Sequence, residues 1–391
     1  MAIYISKPGI MCAAGNSLEE LWNSVITKNQ SGIKKVKACD NQDFYAARIE
    51  NSLLKPSSAR YDMRIMQIEE LALNQIADDI ETAKKRFGKD RIAVCIASCD
   101  NGTEFSVAGH KQYFETDQFP KDYNIEIQGA DYVSTFIAEK YDISGPVNTF
   151  STACSSSAGA TIKAAELIMS DLVDAAIVGG VDIASNTVLL GFNALEAVSP
   201  EITNPFSKNR CGITLGEAGV FYILSKEPLN PNQKKVELLG WGESADAYHM
   251  TSPDPSGEGA KKAILSALKS AKISKNDVDY INLHGTGTHS NDLMEAKIIS
   301  EIFGNNVPAS STKPLTGHCL GAAASIEAAL CCKLLESNTN QVFPHIYDNK
   351  YDKNLPQIWL ADVNTKTKII KTCLSTSFGF GGTNCAMVLR T

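Results

Sequence analysis

The stretch STACSSSAGATIKAAELIM, residues 151–169, decides how this chain is read. Val147, Thr149 and Phe150 form a short β-favouring run that leads into a tight turn of small residues. An Ala-rich helix follows at once, with apolar positions at Ile162, Ala165, Leu167 and Ile168. Cys154 therefore falls at the first turn of a helix, among residues too small to bury it. A helix N-terminus carries partial positive charge and free N–H groups, so the sequence predicts a thiol with a lowered pKa. Taken alone, the stretch reads equally well as a nucleophile or as a buried structural cysteine.

Working outward, buried-strand patterns alternate with helical ones along the whole chain. The strands are RIAVCIAS from Arg91, DAAIVGGV from Asp174, GVFYILS from Gly219, DYINLHG from Asp279, TCLSTSF from Thr372 and CAMVLR from Cys385. Helical periodicity runs through residues 63–87 and 257–271. This alternation predicts an α/β fold with helices on both faces of the sheets. The polar segment KEPLNPNQKK, residues 226–235 with two prolines, reads as a link between residues 1–230 and 231–391. The second half repeats a theme of the first: SSTKPLTGHCLGAAASIEAALCCKLL, residues 310–335, also passes from strand through elbow to small-residue helix. In that comparison His318 stands roughly where Cys154 stands. Packing of the halves about a pseudo-twofold axis would bring the two side chains together.

Composition narrows the function classes. The 391 residues are 43% hydrophobic and 21% charged with a net charge of −7, which suits a soluble globular protein and argues against a general nucleic-acid surface. It leaves room for a local basic patch facing an acidic partner. Eleven scattered cysteines without CxxC pairs point to reduced thiols and a cytoplasmic location. The N-terminus lacks the basic-then-apolar pattern of a signal peptide. No apolar run reaches membrane-spanning length, because Glu327 interrupts the longest one.

Four small-residue elbows hold reactive side chains. Cys154 occupies the first, and His284, Thr286 and Thr288 occupy NLHGTGTHSND, residues 282–292. Lys313 and His318 lie in STKPLTGHCLGAA, residues 311–323, and Phe380 lies in SFGFGGTNC, residues 377–385. A cysteine nucleophile needs a proton acceptor or electrostatic stabiliser, plus N–H donors for a developing oxyanion. Two histidines and a glycine-rich turn supply both. Singly, each of these residues reads as packing, capping or surface. Together, in this order, they read as a site, and no His/Cys spacing among them matches a zinc site.

At this point the chain resembles the β-ketoacyl-acyl-carrier-protein synthases of the thiolase superfamily, of the elongating synthase I/II type. The resemblance runs from PGIMCAAGNSLEELW (residues 8–22) to GFGGTN, through TACSSS, PFSKNRCGITLGEAG (residues 205–219), HGTGTHSND and STKPLTGHCLGAA. It implies a thiolase-like five-layered αβαβα sandwich of two similar halves, commonly a homodimer, with a heterodimer as the alternative. It implies Cys154 as the acyl-accepting nucleophile, with His284 and His318 binding the malonyl thioester carbonyl and promoting decarboxylation. The N–H groups of Cys154 and Phe380 would form the oxyanion hole, and Phe380 would gate the site. Lys313, with Glu327, would orient the histidines, and Thr286 and Thr288 would hold the pantetheine arm of an acyl carrier protein. Neither metal nor cofactor is implied.

The chain departs from the family where Asp, Asp or Glu, and Asp are usual at Ser207, Asn209 and Cys211. It departs also at His289, where proline is common, and in the loop CIASCDNGTEF, residues 95–105. These positions bear on substrate range, so a fatty-acid role and a polyketide or aryl-polyene role fit equally well. Arg60 and Arg64, read as one helical turn apart, are candidates for docking the acidic carrier, against a plain solvated face. Two rival functions carry less weight: a catalytically silent chain-length factor, which would lack the cysteine, and a CoA-dependent thiolase, whose second thiol would be Cys385, although Cys385 begins the apolar strand CAMVLR and reads as a packing residue.

Overall fold

The computed structural model describes residues 2–231 and 234–391, so Asn232 and Gln233 of the proposed link lie outside the described residues. All six strands read from the sequence are present, within two five-stranded sheets. The first half contributes β1 (Gly9–Cys12), β2 (Ile92–Ala97), β3 (Val147–Phe150), β4 (Ala175–Asp182) and β5 (Ala218–Ser225). The second contributes β6 (Val236–Ala245), β7 (Tyr280–Asn282), β8 (Ala309–Ser310), β9 (Thr372–Phe378) and β10 (Thr383–Arg390).

Both sheets have the same topology. The spatial order is β3-β2-β4-β5-β1 in one and β8-β7-β9-β10-β6 in the other. In each, the third, second and fourth strands run parallel, and the fifth is antiparallel to both the fourth and the first. The duplication suspected from the elbows is therefore present strand for strand. The short strand Tyr4–Ile5 pairs with both β5 and β6 and joins the two sheets edge to edge.

Strand periodicity sorts the core into layers. On β2, Ile92, Val94 and Ile96 point outward to α1 (Arg64–Leu73), α2 (Ala77–Phe87) and α3 (Tyr132–Lys140). Their neighbours Ala93, Cys95 and Ala97 point inward to α4 (Ser156–Met169) and α7 (Ala323–Glu336). Tyr280, Cys373, Met387 and Leu389 of the second sheet close that inner layer from the other side. The second sheet's outer face packs Ile281, Leu374 and Val388 against α5 (Glu258–Ser270) and α6 (His289–Phe303). The result is the expected αβαβα sandwich. Its central helix α7 is apolar nearly all round because both of its faces meet a sheet.

Two expectations need correction. The helical pattern of residues 63–87 is two helices, α1 and α2, separated by a 3₁₀ turn at Asn74–Ile76. Gln75 in that turn bonds both the N–H (3.1 Å) and the C=O (2.7 Å) of Ile10, so bracing of β1 overrides helix continuity. His318 is also not the counterpart of Cys154. The elbows align through Ala153 (φ 53°) and Leu320 (φ 49°), two non-glycine residues in the left-handed region. Each opens a three-residue 3₁₀ turn that leads into a 14-residue helix. Gly321 is thus the equivalent of Cys154, and His318 stands three residues earlier.

Candidate functional site

Cys154 sits in the 3₁₀ turn ahead of α4, His284 just past the end of β7, and His318 just ahead of the second elbow. Their ligand-capable atoms all lie within 4.8 Å of one another. The Sγ of Cys154 is 2.9 Å from Nε2 of His318. The two imidazoles meet edge to face at 5.5 Å between centroids. All three side chains are buried, Cys154 at 5% exposure, so the expectation that its small neighbours leave it open does not hold. The wall comes from elsewhere in the chain: the histidines, and the Phe378–Phe380 turn.

Burial also reverses the expected thiol shift. It pushes the Cys154 thiol up to about 11, against the backbone N–H groups of Phe380 and Cys154 and the charge of Lys313, which pull it down. Two backbone donors do aim at this position, but desolvation outweighs them. Burial and Lys313 together hold His284 and His318 well below the ordinary histidine range, and His318 further lowers His284. The resting pair is thus a neutral thiol and a neutral imidazole, with S–H donating to Nε2 of His318.

Lys313 opens a short helix after β8 and is 2% exposed. Its ammonium donates to Glu327 Oε1 at 2.5 Å, to the carbonyl oxygen of His284, and toward His284 Nδ1 at 3.5 Å. With Nδ1 of His284 taken as an acceptor, the ring proton is on Nε2. Lys313 and Glu327, which the resemblance casts as orienting the histidines, form a buried pair against His284.

The three side chains open into a cavity of about 260 Å³ lined also by Thr286, Thr288, Phe192, Phe378 and Phe380. Thr286 and Thr288 share a hydrogen bond of 3.1 Å, and Thr288 caps α6 through the N–H of Asn291. Phe380 stacks on Phe192 at 5.8 Å. The turn approaches the nucleophile closely: a Cβ on Gly379 would stand 2.8 Å from the carbonyl oxygen of Thr152 and 3.4 Å from the N of Cys154.

Sequence reasoning missed several residues. Glu295, fully buried on α6, accepts the N–H groups of His284 and Gly285 at 2.7 Å each, and burial lifts its carboxyl to about 7. Asp292, one turn earlier, accepts from Phe206 and Gly287 at 2.8 and 3.2 Å. Their i, i+3 spacing on a helix beginning at HGTGTHSND was the available signal. Phe192 left no comparable signal.

One expectation fails here. Arg64 begins α1, whereas Arg60 precedes that helix. Arg64 is held by Glu217 at 2.6 Å with its side chain 10% exposed, and exposed Arg60 is paired with Glu126 at 2.6 Å. The two therefore do not stand one turn apart on one helix. Cys385 is buried on β10 with its thiol toward Glu243 at 3.7 Å, outside the cavity, which removes the thiolase reading.

Comparison with known proteins agrees with this geometry. Residues 3–228 match the N-terminal domain of beta-ketoacyl synthases and residues 236–346 the C-terminal domain. A 3-oxoacyl-[acyl-carrier-protein] synthase 2 from Coxiella burnetii is 31% identical, covering 99% of this chain and 98% of that protein. The corresponding synthase of Staphylococcus aureus strain COL is 29% identical over the same shares. Among solved structures, a chain of the ketosynthase ApeO in complex with its chain length factor ApeC from Xenorhabdus doucetiae superposes with a TM-score of 0.91. It is 37% identical and covers 100% of this chain and 98% of that one. A chain of the AntDE:AntF complex, a type II polyketide carrier protein with its ketosynthase, reaches 0.89 at 25% identity, covering 100% and 99%.

Proposed function

The chain belongs to the beta-ketoacyl synthase family, and from that premise we propose that it joins a Cys154-bound acyl group to malonyl-acyl carrier protein by decarboxylative Claisen condensation. The observation that carries this reading is the convergence of Cys154, His284 and His318 on one buried cavity.

In the first half-reaction Sγ of Cys154 attacks the carbonyl carbon of an acyl-carrier thioester. His318 Nε2, at 2.9 Å, takes the thiol proton, which then goes to the departing pantetheine thiolate. The N–H groups of Cys154 and Phe380 hold the tetrahedral oxyanion. In the second half-reaction malonyl-carrier enters past Thr286 and Thr288, which hydrogen-bond its pantetheine arm. Once Cys154 is acylated, the ring proton of His318 passes through solvent from Nδ1 to Nε2; the Nε2–H groups of neutral His284 and His318 then donate to the thioester oxygen, the C–CO₂ bond breaks, and CO₂ leaves behind an enolate. Its carbon attacks acyl-Cys154, the thiolate departs, and a solvent proton restores the thiol. Lys313 fixes the ring proton of His284 on Nε2, and Glu327 balances the lysine's charge. Neutral N–H donors suffice for an enolate of this kind, so the scheme requires no metal or cofactor.

The acyl group comes from fatty-acid or polyketide-type biosynthesis, delivered by an acyl carrier protein. Pairing with a second copy, or with a chain length factor, completes the assembly, and similarity to the ApeO–ApeC complex supports the latter. A silent chain-length-factor role is the weaker reading because Cys154 and both histidines are present. Eleven free cysteines support a reducing, cytoplasmic setting. Among the described residues, no helix is long and apolar enough to cross a membrane.

Intact-protein mass spectrometry after incubation with a panel of acyl-carrier thioesters tests the reading. An adduct on wild type, absent from Cys154→Ala and discharged as a 3-oxoacyl product on adding malonyl-carrier, is the expected result. No adduct from any donor would favour the silent partner.

A further inference from the structure

We propose that Asp182 is a positioning residue for this condensation, tying the segment that carries His318 to the segment that braces Cys154. The inference rests on the condensing-enzyme reading above. Asp182 ends β4 and is 1% exposed. Its Oδ2 accepts the N–H of Gly321 at 2.6 Å, three residues past His318. Its two oxygens also accept the N–H of Cys99 at 2.9 and 3.1 Å, and Oδ1 accepts the hydroxyl of Ser98 at 3.2 Å. Cys99 in turn reaches the nucleophile's elbow, with Sγ 3.5 Å from the carbonyl oxygen of Ala153 and 3.8 Å from the hydroxyl of Ser156. A continuous path therefore runs from the His318 elbow through one carboxylate to the Cys154 elbow.

The duplicated fold shows what this carboxylate replaces. Gly321 is the counterpart of Cys154, so its N–H is the counterpart of one oxyanion donor. In the first half that N–H faces the reaction cavity. In the second half it is occupied by the buried carboxyl of Asp182, which burial lifts to about 7. Glycine makes this approach feasible: a Cβ on Gly321 would stand 2.6 Å from Oδ2 of Asp182 and 3.3 Å from Sγ of Cys99. A carboxylate bonded to two backbone N–H groups and a hydroxyl in a dry interior is a stiff link. It sets how the His318 loop meets the Cys154 turn, where the Sγ–Nε2 contact is 2.9 Å.

Two variants approach the link from opposite sides. Asp182→Asn keeps the shape but turns an NH₂ toward an N–H. Gly321→Ala pushes Oδ2 away while leaving Asp182 intact. All rates are normalised to titratable Cys154 thiol. Single-turnover acylation and malonyl-carrier decarboxylation should each fall on the order of tenfold to a hundredfold, as misplaced reacting groups do. The KM for malonyl-carrier should stay within about twofold, because substrate binding is not what the link controls. The double variant should be no worse than the more impaired single one. Iodoacetamide alkylation of Cys154, which requires no acyl donor, should slow in both variants. Unchanged normalised rates and unchanged alkylation, or a loss seen only as fewer titratable thiols, would overturn the proposal. A wild type that takes no acyl group would instead overturn the condensing reading, and the alkylation rates would still report on Asp182.

Discussion

Cys154 Sγ and His318 Nε2, 164 residues apart in sequence, stand 2.9 Å from each other in the buried layer between the two sheets. This contact couples the two half-reactions. His318 serves the thiol before acylation and the enolate after it, whereas His284 serves only the enolate. Replacing His284 with Ala should therefore abolish decarboxylation and leave acyl transfer to Cys154 within severalfold of wild type. Replacing His318 should damage both. Acyl-adduct formation followed by mass spectrometry, beside CO₂ release from malonyl-carrier, separates the two. Equal acylation rates in both variants would show that His318 is not the proton acceptor.

The thiol's titration gives a second prediction. Its pKa is raised by burial to about 11, so the thiolate fraction grows with pH throughout the neutral and mildly alkaline range. Alkylation of Cys154 in the resting protein should climb about tenfold per pH unit from 7 to 9 without levelling. A plateau at or below pH 8 would mean that the helix end and backbone donors outweigh desolvation.

Much of this site was legible in the sequence, for identifiable reasons. Cys154, His284, Lys313 and His318 sit in small-residue elbows, where local composition and spacing declare the turn. The strands announced themselves through apolar runs buried on both faces. What stayed hidden depended on distant neighbours. The thiol's burial is caused by a turn more than two hundred residues downstream, so local smallness was misleading. Arg64 looked like a free cation because its partner Glu217 lies 153 residues away. The register of the internal repeat escaped because it is marked by backbone conformation at Ala153 and Leu320 rather than by side-chain identity.

Glu295 holds the backbone of His284 as Asp182 holds that of Gly321, and it can be tested in isolation. Glu295→Gln turns an NH₂ toward one of the two N–H groups the carboxylate now accepts. Decarboxylation should drop on the order of tenfold, with acyl transfer to Cys154 retained, because only the His284 turn is disturbed. A parallel loss of both activities, or neither, would reject this assignment.

Phe192 and Phe380 should behave as one unit, since their rings stack at 5.8 Å on the wall of the cavity. Truncating either to Ala removes the same barrier, so the double variant should shift the KM for acyl-carrier no further than the stronger single variant. Additive shifts would show that the two rings act on separate parts of the substrate.

The Lys313–Glu327 pair separates stability from catalysis. Both side chains are almost completely buried, at 2% and 3% exposure, and they meet at 2.5 Å. Lys313→Met leaves the Glu327 carboxyl without its counter-charge, which should cost about 3–5 kcal/mol and lower the melting temperature. A second substitution, Glu327→Leu, removes the stranded acid and replaces the pair with apolar volume. The double variant should recover most of the lost melting temperature, because a buried pair contributes little net stability over a packed hydrophobic replacement. Its decarboxylation should remain lost, because nothing then fixes the proton of His284 on Nε2. Thermal melts beside CO₂ release check both halves. Recovery of activity along with stability would show that the pair is structural, and that His284 chooses its tautomer without help from Lys313.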